Sequence, residues 1–158
     1  MKLLGQIAAA LLAFALPAMP AAAQDRPISL AGDVKAVKTT VDASGAEQTE
    51  LVAPDVIVPG DRLIFGTDYS NSGAETVTDF VVTNPLPGAV RLAPDADPAL
   101  TVSVDGGATW GTLETLTVTG EDGAARAAEH GDVTHVRWTL AAIEPGQSGR
   151  VEYPAIIR

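Results

Sequence analysis

Leu63-Ile64-Phe65-Gly66-Thr67-Asp68-Tyr69 is the stretch whose reading decides the fold. Leu63, Phe65 and Tyr69 fall at period two, with a glycine, a β-branched threonine and an aspartate between and beside them. Period two is strand spacing, and a glycine beside β-branched and aromatic residues disfavours a helix. The same alternation recurs, at least in part, in Val136-Arg137-Trp138-Thr139-Leu140 and in Val151-Glu152-Tyr153-Pro154-Ala155-Ile156-Ile157. Phe65, Tyr69 and Trp138 are therefore expected to face a core. Weaker runs of the same kind are Val34 to Val41, Val56 to Val58, Val77 to Thr83, Val90 to Leu92, Thr101 to Val104 and Leu113 to Thr119. No segment after Ala23 keeps a helical period with good helix formers. The fold class predicted is all-β, an immunoglobulin-like β-sandwich of about seven to nine short antiparallel strands.

Turn residues punctuate these runs: Pro59-Gly60-Asp61, Asn71-Ser72-Gly73, Pro87-Gly88, Asp105-Gly106-Gly107, Glu121-Asp122-Gly123 and Pro145-Gly146-Gln147. Proline presets the entry to a turn and glycine takes the positive φ that closes it. Pro154 has no N–H to give to a ladder, so its strand is expected at a sheet edge or at a bulge. Glu121 to Asp132 carries four alanines that favour helix, but Gly123 and Gly131 bracket a run too short to stand alone. It reads as a mobile loop, of a length that suits a hairpin insertion.

The N-terminus reads as an export signal. Lys2 supplies a positive charge, Leu3 to Ala15 is mostly apolar, Pro17 and Pro20 break that run, and Ala21-Ala22-Ala23 offers small side chains to a peptidase. The prolines leave the apolar run short of the ~20 residues that a spanning helix needs. No cysteine follows for lipidation and no paired arginines precede. The expectation is residues 1–23 as a general-secretion signal and 24–158 as one domain, periplasmic or secreted to the cell surface, with no membrane span after cleavage. Of the 10 basic residues only Lys2 lies in the signal, so the mature part sets 9 against 20 acidic residues, a balance of −11. That charge argues against nucleic acid as a partner. Cysteine is absent and both methionines, Met1 and Met19, lie in the signal. Thiol catalysis, disulfides, zinc–cysteine sites, iron–sulfur clusters and thioether copper sites are excluded together, and no cofactor is called for.

Candidate chemistry is sparse. The two histidines, His130 and His135, follow no nucleophile motif, and Gly146-Gln147-Ser148-Gly149 misses the G-x-S-x-G elbow by one residue, so Ser148 reads as part of a turn. His130 and His135 with Glu129 and Asp132 are zinc-competent by type but match no metal spacing. Asp95, Asp97 and Asp122 are the loop acids best suited to calcium, although none forms the D-x-[DN]-x-[DN]-G loop. Arg137, Arg150 and Arg158 are expected to face outward and to pair with local acids or with an acidic partner. Trp110 is the aromatic to test for a carbohydrate contact.

Two resemblances rest on these motifs. The order Pro59-Gly60-Asp61, Asn71-Ser72-Gly73, Asn84-Pro85-Leu86-Pro87-Gly88, Trp138-Thr139-Leu140 and Pro145-Gly146, over about Val56 to Ile157, resembles the prokaryotic conserved-repeat surface domain known as domain of unknown function 11. Asn84 stands where that family commonly has aspartate, and this chain has one copy where the family often has repeats. The resemblance implies an immunoglobulin-like sandwich at the cell envelope and no known chemistry. Ser103-Val104-Asp105-Gly106-Gly107-Ala108-Thr109-Trp110 satisfies S-x-D-x-G-x-x-W and is similar to the Asp-box of sialidase propeller blades. There Ser103, Asp105, Gly107 and Trp110 brace a hairpin, and about 135 residues cannot build the propeller itself. The function expected is a non-enzymatic structural or interaction module of the bacterial envelope, with an envelope or surface protein as partner. The alternative is a small calcium- or carbohydrate-binding periplasmic protein.

Overall fold

The computed structural model describes residues 27–158; the export signal expected at 1–23 lies outside the described residues. Ten strands run in the order β1 (Ile28–Val41), β2 (Glu47–Val52), β3 (Arg62–Asn71), β4 (Val77–Pro85), β5 (Val90–Leu92), β6 (Thr101–Ser103), β7 (Thr117–Thr119), β8 (Ala125–Ala127), β9 (His135–Ile143) and β10 (Ser148–Ile157). The one helical turn among the described residues is a 3-10 turn at Leu113–Thr115. Each ladder is antiparallel. A five-stranded sheet has the order β2-β1-β3-β10-β5, a three-stranded sheet β4-β9-β6, and β7 pairs with β8 alone. The chain is all-β and sandwich-like, because the two larger sheets share one core. Leu63, Tyr153, Ala155, Val90 and Leu92 from the first pack with Val102 and Val136 from the second.

Strand alternation delivers that core. Leu63 and Phe65 point inward from β3, Tyr153 lies opposite Phe65 on β10, and the two rings stack with centroids 5.1 Å apart. Trp138 on β9 approaches the same tyrosine at 6.2 Å from the facing sheet. Tyr153 is 1% exposed, and burying a side chain of this size contributes about 2–3 kcal/mol. Burial also pushes its phenol pKa up to about 12.

The turn motifs serve as stitches between elements. Asn71, 1% exposed at the end of β3, donates from its amide to the carbonyls of Glu75 and Ile143, both at 2.8 Å, and accepts the Gly73 N–H at 2.9 Å. Its backbone pairs with the Pro145-Gly146 turn: the Asn71 N–H meets the Gln147 carbonyl at 2.9 Å and the Gly146 N–H meets the Asn71 carbonyl at 2.8 Å. Two motifs far apart in the chain, at Asn71 and at Pro145-Gly146, thus close one end of the sandwich together. At Pro59-Gly60-Asp61 the Asp61 carboxylate accepts the Val58 N–H at 2.9 Å, and Gly60 at φ 95° turns the chain into β3.

Several expectations are corrected. Val56 to Val58 is not a strand: Pro54 and Pro59 bracket it, its backbone is spent on the Asp61 turn, and Val56, Ile57 and Val58 are 82%, 45% and 53% exposed. The strand in that region is β2, a mostly exposed edge whose sequence needs no apolar alternation because it has no well-buried face. Its hairpin turn is built by Asp42, whose carboxylate accepts the backbone N–H groups of Ser44 and Ala46 at 2.8 and 3.0 Å. Leu113 to Thr119 divides into the 3-10 turn and β7. Glu121 to Asp132 is not loop throughout: it supplies β8, which forms with β7 the hairpin that its length suits, and an Arg126–Asp132 pair at 2.7 and 2.8 Å closes it. Ten strands therefore replace the seven to nine expected. Pro154 lies in an interior strand. Its carbonyl accepts the Ala93 N–H at 3.0 Å, so its nitrogen faces the same side, just past the end of the three-residue β5 where no ladder bond is asked of it.

Candidate functional site

The S-x-D-x-G-x-x-W stretch leaves β6 at Ser103 and returns beside it, where Val102 and Gly111 exchange backbone hydrogen bonds of 2.8 and 3.1 Å. Gly106 and Gly107 take φ of 76° and 94°, a conformation that costs other residues free energy. The Ser103 hydroxyl, fully buried, donates to Asp105 at 2.7 Å and accepts the Gly107 N–H at 2.9 Å. The Asp105 carboxylate takes the N–H groups of Thr109 and Ala108 at 2.8 and 3.1 Å. Bonds from Thr109 and then Ser103 hold its pKa down at about 2. The loop is a pinned platform, and its last residue is pinned as well: the Trp110 indole N–H donates to the Gly107 carbonyl at 2.8 Å. The four residues expected to brace a hairpin are brought together in this loop.

Under Trp110 lies the outer face of the three-stranded sheet. Arg137 on β9 sits in the row Thr83, Arg137, Thr101, and its guanidinium carbon is 3.6 Å from the Trp110 ring centroid. His135, two residues earlier on the same face, meets the indole edge-on at 6.2 Å. Trp110, Arg137 and His135 are each half-buried, and Val81, in the row next to Arg137, is 48% exposed. Arg137 departs from the expectation that it pairs with a local acid. Among the described residues its guanidinium meets no carboxylate, and its Nε is buried without a hydrogen-bond partner. The sequence places Arg137 outward through the alternation Val136-Arg137-Trp138. Nothing in the sequence places Trp110 on top of it.

Arg150 and Arg158, the other two arginines expected to face outward, each find hydrogen-bond partners. Arg150 reaches Asp33 at 2.5 Å, Asp68 at 3.0 Å and Glu152 at 3.2 Å across β1, β3 and β10, and these acids push its pKa further up. Gly66 makes room for it, since a Cβ there would lie 1.8 Å from an Arg150 nitrogen. Arg158 binds backbone rather than acids, at the Val90 and Gly131 carbonyls. The three loop acids stand in separate arrangements. Asp95 is held by both terminal nitrogens of Arg62 at 2.7 and 2.9 Å, which lowers its pKa. Asp97 caps the Ala99 N–H at 2.9 Å and Asp122 caps the Ala124 N–H at 3.0 Å in the β7–β8 turn. Among the described residues no three His, Cys, Asp or Glu side chains gather as a metal site would require. Ser148 opens β10 opposite Ser70. His130 lines a cavity of about 340 Å³ with Leu92, Leu100, Val102, Leu113 and Glu114.

Among the described residues no helix is long and apolar enough to cross a membrane. No family model matches the chain, and comparison with curated proteins and with solved structures finds no significant match.

Proposed function

We propose that this chain is an exported, non-enzymatic immunoglobulin-like sandwich that acts by contact, as an interaction module of the bacterial cell envelope. The observation that carries the reading is the Trp110–Arg137 pair: a rigid indole stacked on a cation that has no acid of its own among the described residues, on a sheet face with Val81 exposed beside it. Tryptophan and arginine are the side chains most enriched at the energetic centres of protein interfaces. Rigid anchors lose little conformational freedom on binding, and the Ser103–Asp105–Gly107 bonds supply that rigidity in advance. Export is supported by the charged, apolar and small-residue order of residues 1–23. The immunoglobulin-like assignment is supported by two antiparallel sheets around one core and by the order of turn motifs it shares with the envelope repeat domain.

The test is site-specific photo-crosslinking in the native bacterium, with a benzophenone amino acid at Val81 on the proposed contact face or at Val41, exposed at the β1–β2 turn. The expected result is a discrete adduct from position 81 in the envelope fraction and none from position 41. Retention in the cytoplasm, no adduct, or equal adducts from both positions overturns the reading.

A further inference from the structure

Among the described residues the Arg137 guanidinium is held by stacking alone. A buried donor without an acceptor is uncommon in folded proteins, and Arg137 Nε is one. The conformation persists because the indole lies over the guanidinium at 3.6 Å, and the indole cannot swing away while its N–H is bonded to Gly107. Arg62, Arg126 and Arg150 each turn their nitrogens to carboxylates of this chain. Among the described residues neither Arg137 nor Arg91 does, and of the two only Arg137 has a buried donor left without an acceptor. A guanidinium is a planar fork whose complement is a carboxylate; with Nε buried beyond a partner's reach, the two terminal nitrogens of Arg137, held flat and without a hydrogen-bond partner among the described residues, are the fork left to receive one.

We infer that Arg137, stacked on Trp110, is the receptor for an aspartate or glutamate side chain of a protein partner. This rests on the contact reading above and names the partner's chemistry. The neighbours on the face decide between a polypeptide and an acidic sugar. The rows around Arg137 hold Val81 with Thr139, Thr83 with Thr101, and Pro85 with His135. They contain no carboxylate or carboxamide to take ring hydroxyls, whereas threonine methyls, Val81 and Pro85 suit the apolar side chains that flank an acid in an extended peptide.

The experiment selects binders to the purified protein from a display library of random twelve-residue peptides, then measures the enriched peptides against variants. The expected outcome is enrichment of an Asp or Glu next to apolar residues, with affinity falling at least tenfold on Arg137→Gln. Changing the peptide acid to its amide should cost a similar factor, and no further loss should follow when both changes are combined. Arg137→Lys keeps the charge without the fork and should restore only part of the binding. Equal thermal unfolding of Arg137→Gln and the parent separates lost recognition from lost folding. Enriched peptides without an acid, undiminished binding by Arg137→Gln, or Arg137-dependent capture of oligogalacturonate in place of peptide each overturns the inference. A Val81 crosslink in the native bacterium that survives Arg137→Gln unchanged would also sink it while leaving the contact reading intact; absence of any crosslink in the parent sinks the reading itself.

Discussion

Replacing Asn71 by aspartate changes one amide for a carboxyl of the same shape at a buried side chain that makes three hydrogen bonds. The amide gives its two N–H donors to Glu75 and Ile143 carbonyls and accepts the Gly73 N–H. A carboxylate keeps the acceptor but sets a buried negative charge against two carbonyl oxygens. The cheaper course is to take up a proton, and doing so at pH 7 from an ordinary aspartate pKa near 3.9 costs about 4 kcal/mol. The protonated carboxyl restores one donor and leaves the other carbonyl unpaired, which by itself costs about 1–3 kcal/mol. A deficit of about 5–7 kcal/mol is therefore expected at pH 7, or about 15–25 °C in melting temperature for a domain of this size. The pKa of the new carboxyl is raised in the folded state, so the unfolded chain holds fewer protons than the folded one above pH 4. The deficit must then shrink as pH falls, to about 1–3 kcal/mol near pH 4. Urea unfolding of parent and variant at pH 4, 5.5 and 7, read by circular dichroism, gives the difference at each pH. Asn84→Asp is the contrast: Asn84 donates only to the Thr67 hydroxyl, at 2.8 Å, and a hydroxyl can turn and donate to a carboxylate instead. That variant should cost under about 1 kcal/mol. A deficit for Asn71→Asp that is below about 2 kcal/mol at pH 7, or that does not change between pH 7 and 4, refutes the account of Asn71 as a double donor.

Two further outcomes follow from the pKa shifts. Asp105, held at about 2 by its loop bonds, contributes stability that is fully present above the unfolded value near 4 and lost as pH falls through 2. Asp105→Asn should melt below the parent at pH 7 and converge with it at pH 2, and a constant gap across that range would contradict the assignment. Tyr153 is neutral in the fold up to about pH 12 while the unfolded phenol ionises near 10, so stability should drop by about 1.4 kcal/mol per pH unit between those values. Its hydroxyl contact to the Pro85 carbonyl is long, at 3.4 Å, so Tyr153→Phe should cost under about 1 kcal/mol at pH 7 and remove that alkaline loss. Thermal melts from pH 8 to 11.5 read both effects.

The interior of the five-stranded sheet was legible in the residues. Leu63, Phe65 and Tyr153 announce β3 and β10 because a strand buried on one face must alternate, and nothing but alternation is needed to see it. The Ser103–Trp110 loop was legible for a related reason, since its bonds run between residues at most four apart. The edges were not: β2 and β8 are too exposed or too short to bury an apolar face, and without a burial constraint their composition carries little strand signal. Val56 to Val58 misled in the opposite sense, being β-branched and apolar yet committed to a turn by two prolines and Asp61.

From sequence alone came the all-β class, the turns, the acidic and cysteine-free character, and the rigidity of the hairpin that carries Trp110. Tertiary structure alone decided which acids Arg62 and Arg150 would claim, that Asn71 would stitch β3 to the turn after β9, and that Trp110 would lie over Arg137. The physical reason is the range of the interactions involved. Backbone propensity, alternation and local hydrogen bonds act between residues near in sequence. The pairing of Trp110 with Arg137 depends on strand order and register, because β6 and its loop are laid against β9 only when the three-stranded sheet has assembled.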